Sequence, residues 1–78
     1  MWTVYILKCR DGKYYVGCTS DLGKRLIRHN KGEVSYTASR SPLKLITNLV
    51  FNDKHKAYAF EKYLKSGSGH VFMRKRLI

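Results

Sequence analysis

Acidic residues are scarce in this chain. Five Asp and Glu stand against sixteen Lys and Arg, a formal charge of +11 over 78 residues. That imbalance excludes a self-neutralised surface and predicts attraction to polyanions, nucleic acid first and anionic membrane second. Cysteine is also sparse. Cys9 and Cys18 match no metal-ligand spacing, and such a pair in a cytoplasmic protein reads as two buried thiols rather than a disulfide. His29, His55 and His70 are too scattered along the chain to read as a zinc site. No apolar run approaches the ~18–20 residues of a spanning helix. The Met1 end lacks the basic-then-apolar pattern of a signal peptide, so a cytoplasmic location without a membrane partner is the default expectation. With no internal repeat and no linker, residues 1–78 read as one domain with a thin core. A chain of this length buries only roughly 60% of its unfolded surface.

What is present is pattern. Residues 2–9 alternate as a strand, with Trp2, Val4 and Ile6 on one side and Thr3, Tyr5, Leu7 and Cys9 on the other. Residues 13–18 form a second strand, and Arg10-Asp11-Gly12 lies between the two. The hairpin register decides which face each tyrosine takes, because a slip of one residue flips every side chain. A two-residue turn at Asp11-Gly12 would put Tyr5 and Tyr15 on opposite faces. A three-residue loop with Gly12 left-handed pairs Cys9 with Lys13, Leu7 with Tyr15 and Tyr5 with Gly17. The second register is preferred because it segregates an apolar face (Trp2, Val4, Ile6, Tyr14, Val16, Cys18) from one carrying Thr3, Tyr5, Lys13, Tyr15 and Gly17.

Ser20 or Asp21 can cap a helix over residues 21–31 that Gly32 stops, with Leu22, Leu26 and Ile27 as its buried stripe. Arg25 and His29 lie one turn apart and point the same way. A turn-rich loop from Glu33 to Pro42 leads to a third strand, Leu43–Phe51. Asn52 or Asp53 caps a helix over 54–65, ended by Ser66-Gly67-Ser68-Gly69. The tail His70–Ile78 reads as a short helix with Val71, Phe72, Leu77 and Ile78 as anchors. The fold class expected is α/β (α+β): a small three-stranded antiparallel sheet flanked by helices in the order β-β-α-β-α(-α).

One carboxylate is out of place. Ala57, Phe60 and Leu64 recur at helical spacing, and Glu61 falls inside that stripe, the only acidic residue after Asp53. A carboxylate on the core side needs a cation or strong donors. Three partners are open: Lys65 one turn on, Arg25 as a structural ion pair, or a divalent metal held by one or two carboxylates and substrate phosphates.

Taken in order, these residues resemble the GIY-YIG nuclease superfamily. Thr3-Val4-Tyr5 stands for its first motif and Tyr15-Val16-Gly17 for its second, with Arg25 and His29 on the following helix and Glu61 on the next long one. The segments 21–26, 29–32, Tyr36-Thr37 and 61–67 are similar to small stand-alone bacterial members, themselves like the N-terminal nuclease domain of the excinuclease C subunit. The resemblance implies a metal-dependent endonuclease that hydrolyses phosphodiester bonds of nucleic acid, DNA in particular, structure-selective and linked to repair or recombination. It implies Glu61 as ligand to one Mg²⁺ or Mn²⁺, and Arg25 on the scissile phosphate. Tyr5 would accept a proton from the nucleophilic water, Tyr15 would share its hydrogen bond, and His29 would relay the proton. A free phenol, with a pKa of about 10, is a poor base, so this scheme needs Arg25, the metal or His29 to lower that value. Three features depart from the pattern: Thr3 replaces the first glycine, Cys18 stands where a lysine often follows the second motif, and no asparagine follows Asn52.

Lys13, Lys24, Arg28, Arg40, Arg74, Lys75 and Arg76 read as backbone contacts to nucleic acid, giving salt-sensitive affinity without sequence reading. Lys65, with the Ser-Gly run after it, can either cradle a phosphate or belong to a helix cap. Two other function classes stay open: a non-catalytic nucleic-acid-binding protein on the same fold, and a module whose charge serves an acidic protein partner. The expected assembly is a monomer or weak dimer; several relatives need a partner protein, and that alternative stays open here.

Overall fold

Glycine and aspartate set the chain's corners in the computed structural model, which describes residues 1–78. The elements are β1 (Trp2–Lys8), β2 (Tyr14–Thr19), α1 (Leu22–Asn30), β3 (Lys44–Phe51), α2 (Lys54–Leu64) and α3 (Gly67–Arg76), an α+β fold in the expected order. The hairpin takes the three-residue register. Leu7 pairs with Tyr15 and Tyr5 with Gly17, the Cys9 amide donates to the Lys13 carbonyl at 2.8 Å, and Gly12 has φ 82°. Asp11 Oδ1 accepts from the Lys13 amide at 3.1 Å, which closes the loop from the side.

The antiparallel sheet has the order β2-β1-β3, so β1 is central. A bulge in the β1–β3 pairing sets Thr47 opposite Ile6 and Leu45 opposite Leu7, leaving Ile46 as the extra residue. Val4 to Leu7 are all buried, because both faces of the central strand are covered. On one face, Val4, Ile6, Val16 and Cys18 pack with Ala57 and Leu64 of α2 and Met73 of α3; Trp2 and Tyr14 close the edge of that core. This is the apolar face expected from the alternation. Cys9 and Cys18 are free buried thiols, and burial pushes both above the ordinary thiol value.

Asp21 caps α1, accepting from the Lys24 amide at 3.0 Å, and Asp53 caps α2 through the His55 and Lys56 amides. Gly32, at φ 75°, turns the chain away after α1. Three details differ from expectation. Ile27 is more than half exposed, and the residue α1 buries is His29. The Ser66–Gly69 run does not merely end α2: Ser66 caps α3 by accepting from the Gly69 amide at 3.2 Å, and Gly67 to Gly69 form its first turn. Glycine is required at 69 because a Cβ there would overlap the Tyr63 carbonyl and lie 2.8 Å from Leu64 Cα. The tail is anchored by Met73, by half-buried Leu77 and by Phe72, whose ring lies 6.3 Å from Phe60 and 6.0 Å from Tyr63, whereas Val71 and Ile78 are exposed; Met73 lies one turn after buried Gly69 and so shares its inward face. No helix is long and apolar enough to cross a membrane.

Candidate active site

The second face of the sheet is built around one phenol. Tyr5 is fully buried, its ring lying over Gly17 on the neighbouring strand. A Cβ on Gly17 would overlap Tyr5 Cζ and its hydroxyl oxygen and sit 2.7 Å from Cε1. The glycine is therefore a steric requirement of the phenol, not of the backbone. Tyr15 lies diagonally across the hairpin, ring centroids 6.1 Å apart, so both tyrosines share the face as the register requires.

Helix α1 closes this face with two side chains one turn apart. Arg25 Nε donates to the Tyr5 hydroxyl at 3.1 Å, and His29 Nε2 lies 2.8 Å from the same oxygen. On the other side of the imidazole, Nδ1 is 2.7 Å from Thr37 Oγ1, whose hydroxyl donates to the Val34 carbonyl at 3.3 Å. Because Thr37 spends its proton on that carbonyl, its oxygen accepts from His29 Nδ1–H. The neutral ring then presents a bare Nε2, to which the Tyr5 hydroxyl donates. The line Arg25–Tyr5–His29–Thr37–Val34 satisfies every polar atom it buries, and no buried side-chain polar atom in the structure lacks a partner.

The electrostatics follow from this burial. Burial first, then Arg25 and Arg28, lowers the His29 pKa below its ordinary 6.5 and keeps the ring neutral. Tyr5 is pushed up to about 12: burial raises it most, and the hydrogen bond from Arg25 pulls it down by less. The lowering of the phenol pKa that the sequence-based scheme required is thus outweighed. In return, the Tyr5 hydroxyl and, after the opposing effect of burial, the Tyr15 phenol hold the Arg25 guanidinium above its usual value.

Of the two protein partners open to Glu61, it meets Lys65. Its carboxylate, 18% exposed, pairs with Lys65 Nζ at 3.3 Å through Oε2; Arg25 bonds Tyr5 instead. The carboxylate also faces β2, where its charge adds to burial in raising the Cys18 thiol. The same Lys65 Nζ lies 5.9 Å from the Tyr15 ring centroid, so Glu61, Lys65 and Tyr15 form a continuous edge leading to Tyr5. No group of three His, Cys, Asp or Glu exists that could cage a metal. A single half-buried carboxylate with one oxygen engaged still fits Mg²⁺ or Mn²⁺, which bind through one or two carboxylates, waters and substrate phosphates.

The predicted phosphate-contacting cations divide. Arg28 pairs with Glu33 at 3.5 Å, and Arg40 pairs with Asp11 while its guanidinium sits 4.3 Å over the Tyr36 ring. Lys65 pairs with Glu61, whereas Lys13, Lys24, Arg74, Lys75 and Arg76 are exposed without a carboxylate partner. Thr37 is the site residue that pattern reading missed as an actor. It lies in the 33–42 loop, where no period fixes orientation, and only its place in the Tyr36-Thr37 segment singled it out.

Comparisons with known proteins place the chain in a family. Residues 1–75 match the GIY-YIG catalytic domain. The chain is 46% identical over 63 residues to a UPF0213 protein of Streptococcus pneumoniae, covering 80% of this chain and 64% of that protein. It is 41% identical over 73 residues to the UPF0213 protein YsiG of Lactococcus lactis, covering 92% and 66%. The chain thus spans just under two thirds of the length of the S. pneumoniae relative. The solution NMR structure of the UPF0213 protein BH0048 from Bacillus halodurans is similar at a TM-score of 0.61 and 33% identity, covering 96% of this chain and 84% of that one. GIY-YIG domains are associated with nuclease activity on nucleic acid and typically use a divalent metal. On its sequence match and on its fold, the chain belongs to the GIY-YIG catalytic-domain family.

Proposed function

We propose that this chain is a metal-dependent endonuclease that hydrolyses phosphodiester bonds in DNA, acting as a single cytoplasmic nuclease domain. The observation that carries the reading is the Tyr5 hydroxyl held between Arg25 Nε at 3.1 Å and His29 Nε2 at 2.8 Å. In this mechanism Tyr5 is a conduit rather than a standing base, because a phenol near 12 is not ionised at neutral pH. Tyr5 is fully buried in the free chain, so substrate binding must first open a path to its oxygen. The attacking water then gives its proton to that oxygen as the phenol proton passes to His29 Nε2. The new P–O bond forms while the leaving oxygen departs and takes a proton from solvent. Thr37 fixes the tautomer that leaves Nε2 free to receive. Arg25 keeps Nε on Tyr5 and offers its terminal nitrogens to the non-bridging phosphate oxygens, whose charge grows in the transition state. Glu61 would hold a divalent ion, which supplies Lewis-acid stabilisation when bound.

A non-catalytic nucleic-acid-binding protein is the competing reading. The Lys65–Glu61 pair favours it, since that pair satisfies the carboxylate without a metal. Incubation with branched, nicked, single-stranded and supercoiled DNA in Mg²⁺ or Mn²⁺ separates the two. Cleavage that Glu61→Ala abolishes, with DNA affinity largely retained, supports the nuclease. Intact binding with no cleavage of any substrate establishes the second reading instead.

A further inference from the structure

Two clefts run together beside β2. One, of about 270 Å³, is lined by Tyr15, Leu64 and Lys65 among others. The other, of about 310 Å³, lies between the hairpin loop and α3 and is lined by Gly12, Lys13, Tyr14, Tyr36, His70 and Arg74. Tyr14, Tyr36 and His70 belong to both, so the two form one trough from Tyr15 to Arg74.

Positive charge dominates it. Each side-chain carboxylate already has a partner: Asp21 and Asp53 cap helices, and Asp11, Glu33 and Glu61 pair with Arg40, Arg28 and Lys65. Lys13 and Arg74 line the trough without an ion-pair partner of their own. Its aromatic wall is braced. Arg40 stacks on the Tyr36 ring and also donates from Nε to the Tyr36 carbonyl at 2.8 Å, while the Tyr15 ring lies 5.7 Å away. A fixed aromatic ring between cations suits a flat anionic ligand, the combination used to bind single strands. A base within a duplex has both faces stacked on its neighbours, so it cannot offer one to Tyr36.

We propose that this trough binds an unpaired stretch of nucleic acid beside the bond to be cut, with one base stacked on Tyr36 and its phosphates on Lys13 and Arg74. The link to cutting rests on the nuclease reading above, since the trough opens at Tyr15. It makes the substrate a flap, loop or junction rather than continuous duplex.

The binding test needs no turnover. Fluorescence anisotropy in EDTA compares a short single-stranded oligonucleotide with a blunt duplex of the same sequence, for wild type, Tyr36→Ala, Tyr36→Phe, Arg74→Ala and Lys75→Ala. Tyr36→Ala should weaken single-strand binding about tenfold while Tyr36→Phe retains it. Arg74→Ala should cost more on the single strand than on the duplex, and Lys75→Ala, outside the trough, should weaken both alike. Equal losses for the phenylalanine and alanine variants at position 36, or no strand preference in the Arg74→Ala loss, would overturn the proposal. Cleavage then distinguishes the two readings. The expected single-strand pattern with no cutting of any substrate leaves the trough standing and removes the nuclease. Equal cutting of flapped and blunt duplexes removes the trough as a substrate selector.

Discussion

Substituting Gly17 by alanine tests the site at its tightest point. The backbone tolerates the change, because Gly12 and Gly32 are the positions with positive φ. The cost is therefore the clash alone. The added methyl would overlap Tyr5 Cζ and the hydroxyl oxygen, and with Cε1 already at 2.7 Å the ring cannot escape by a small tilt. Restoring ordinary contact needs a shift on the order of 1 Å, which stretches the 2.8 Å Tyr5–His29 bond beyond hydrogen-bond range. The 3.1 Å bond from Arg25 goes with it. Losing one neutral and one charge-assisted bond costs roughly 2–4 kcal/mol, about 10 °C or more in Tm for a chain of this size. A misplacement of this size at a reacting group lowers the rate on the order of a hundredfold. Thermal unfolding by circular dichroism and cleavage under Mg²⁺ read the two effects. The clash is mutual, so the stability cost of Gly17→Ala should nearly vanish in a Tyr5→Ala background. Wild-type Tm and rate in Gly17→Ala would refute the placement of the phenol over position 17, and with it the shared face.

Three further outcomes follow from the same geometry. Thr37→Val keeps the shape but strands His29 Nδ1–H in a buried site, so stability should drop by roughly 1–3 kcal/mol and cleavage should fall with the loss of a fixed tautomer; an unchanged urea midpoint would contradict this. His29 has a lowered folded-state pKa, so its contribution to stability is present above the ordinary value of 6.5 and is lost as pH falls through the lowered one. Tyr5 works in the opposite sense. Its stabilisation is complete below pH 10 and is lost as pH rises to about 12, a change of roughly 3 kcal/mol. Urea titrations across both ranges should show the alkaline loss disappear in Tyr5→Phe and the acid loss in His29→Gln; identical pH profiles in variant and wild type would count against the buried pair. Gly69→Ala places its methyl on backbone that cannot yield, so it should loosen α3 from α2 and lower Tm more than Gly67→Ala, whose Cβ meets nothing within 4 Å.

Local rules made much of the fold legible. Gly12 selects the loop, the loop selects the register, and the register alone places both tyrosines on one face. Four-residue spacing on α1 placed Arg25 and His29 together, and both reach the same phenol oxygen. What was illegible depended on sums or on distant packing. Thr37 is oriented by a loop whose bonds run to Val34 and Arg40, with no period to reveal it. Serine and glycine after α2 serve equally to end one helix or begin another, and only the close approach of residue 69 to the Tyr63 carbonyl decides. The direction of the Tyr5 shift is a difference between burial and Arg25, whose sizes no residue order encodes.

That difference has a consequence for the proposed chemistry. A phenol near 12 facing an imidazole below 6.5 places the resting proton firmly on Tyr5, and moving it to His29 is uphill by several kcal/mol. The free protein thus buries a neutral pair beside one cation, the arrangement a small core tolerates best. Proton transfer becomes favourable only when the water that replaces the lost proton is itself acidified. The burden therefore falls on positive charge near that water, from Arg25 and from a divalent ion at Glu61. Exchanging Mg²⁺ for Mn²⁺, a stronger Lewis acid by the Irving–Williams order, should therefore raise the cleavage rate more than it changes DNA affinity. An equal effect of the metal on rate and on binding would place the ion in substrate capture and leave the Tyr5–His29 relay without its driving force.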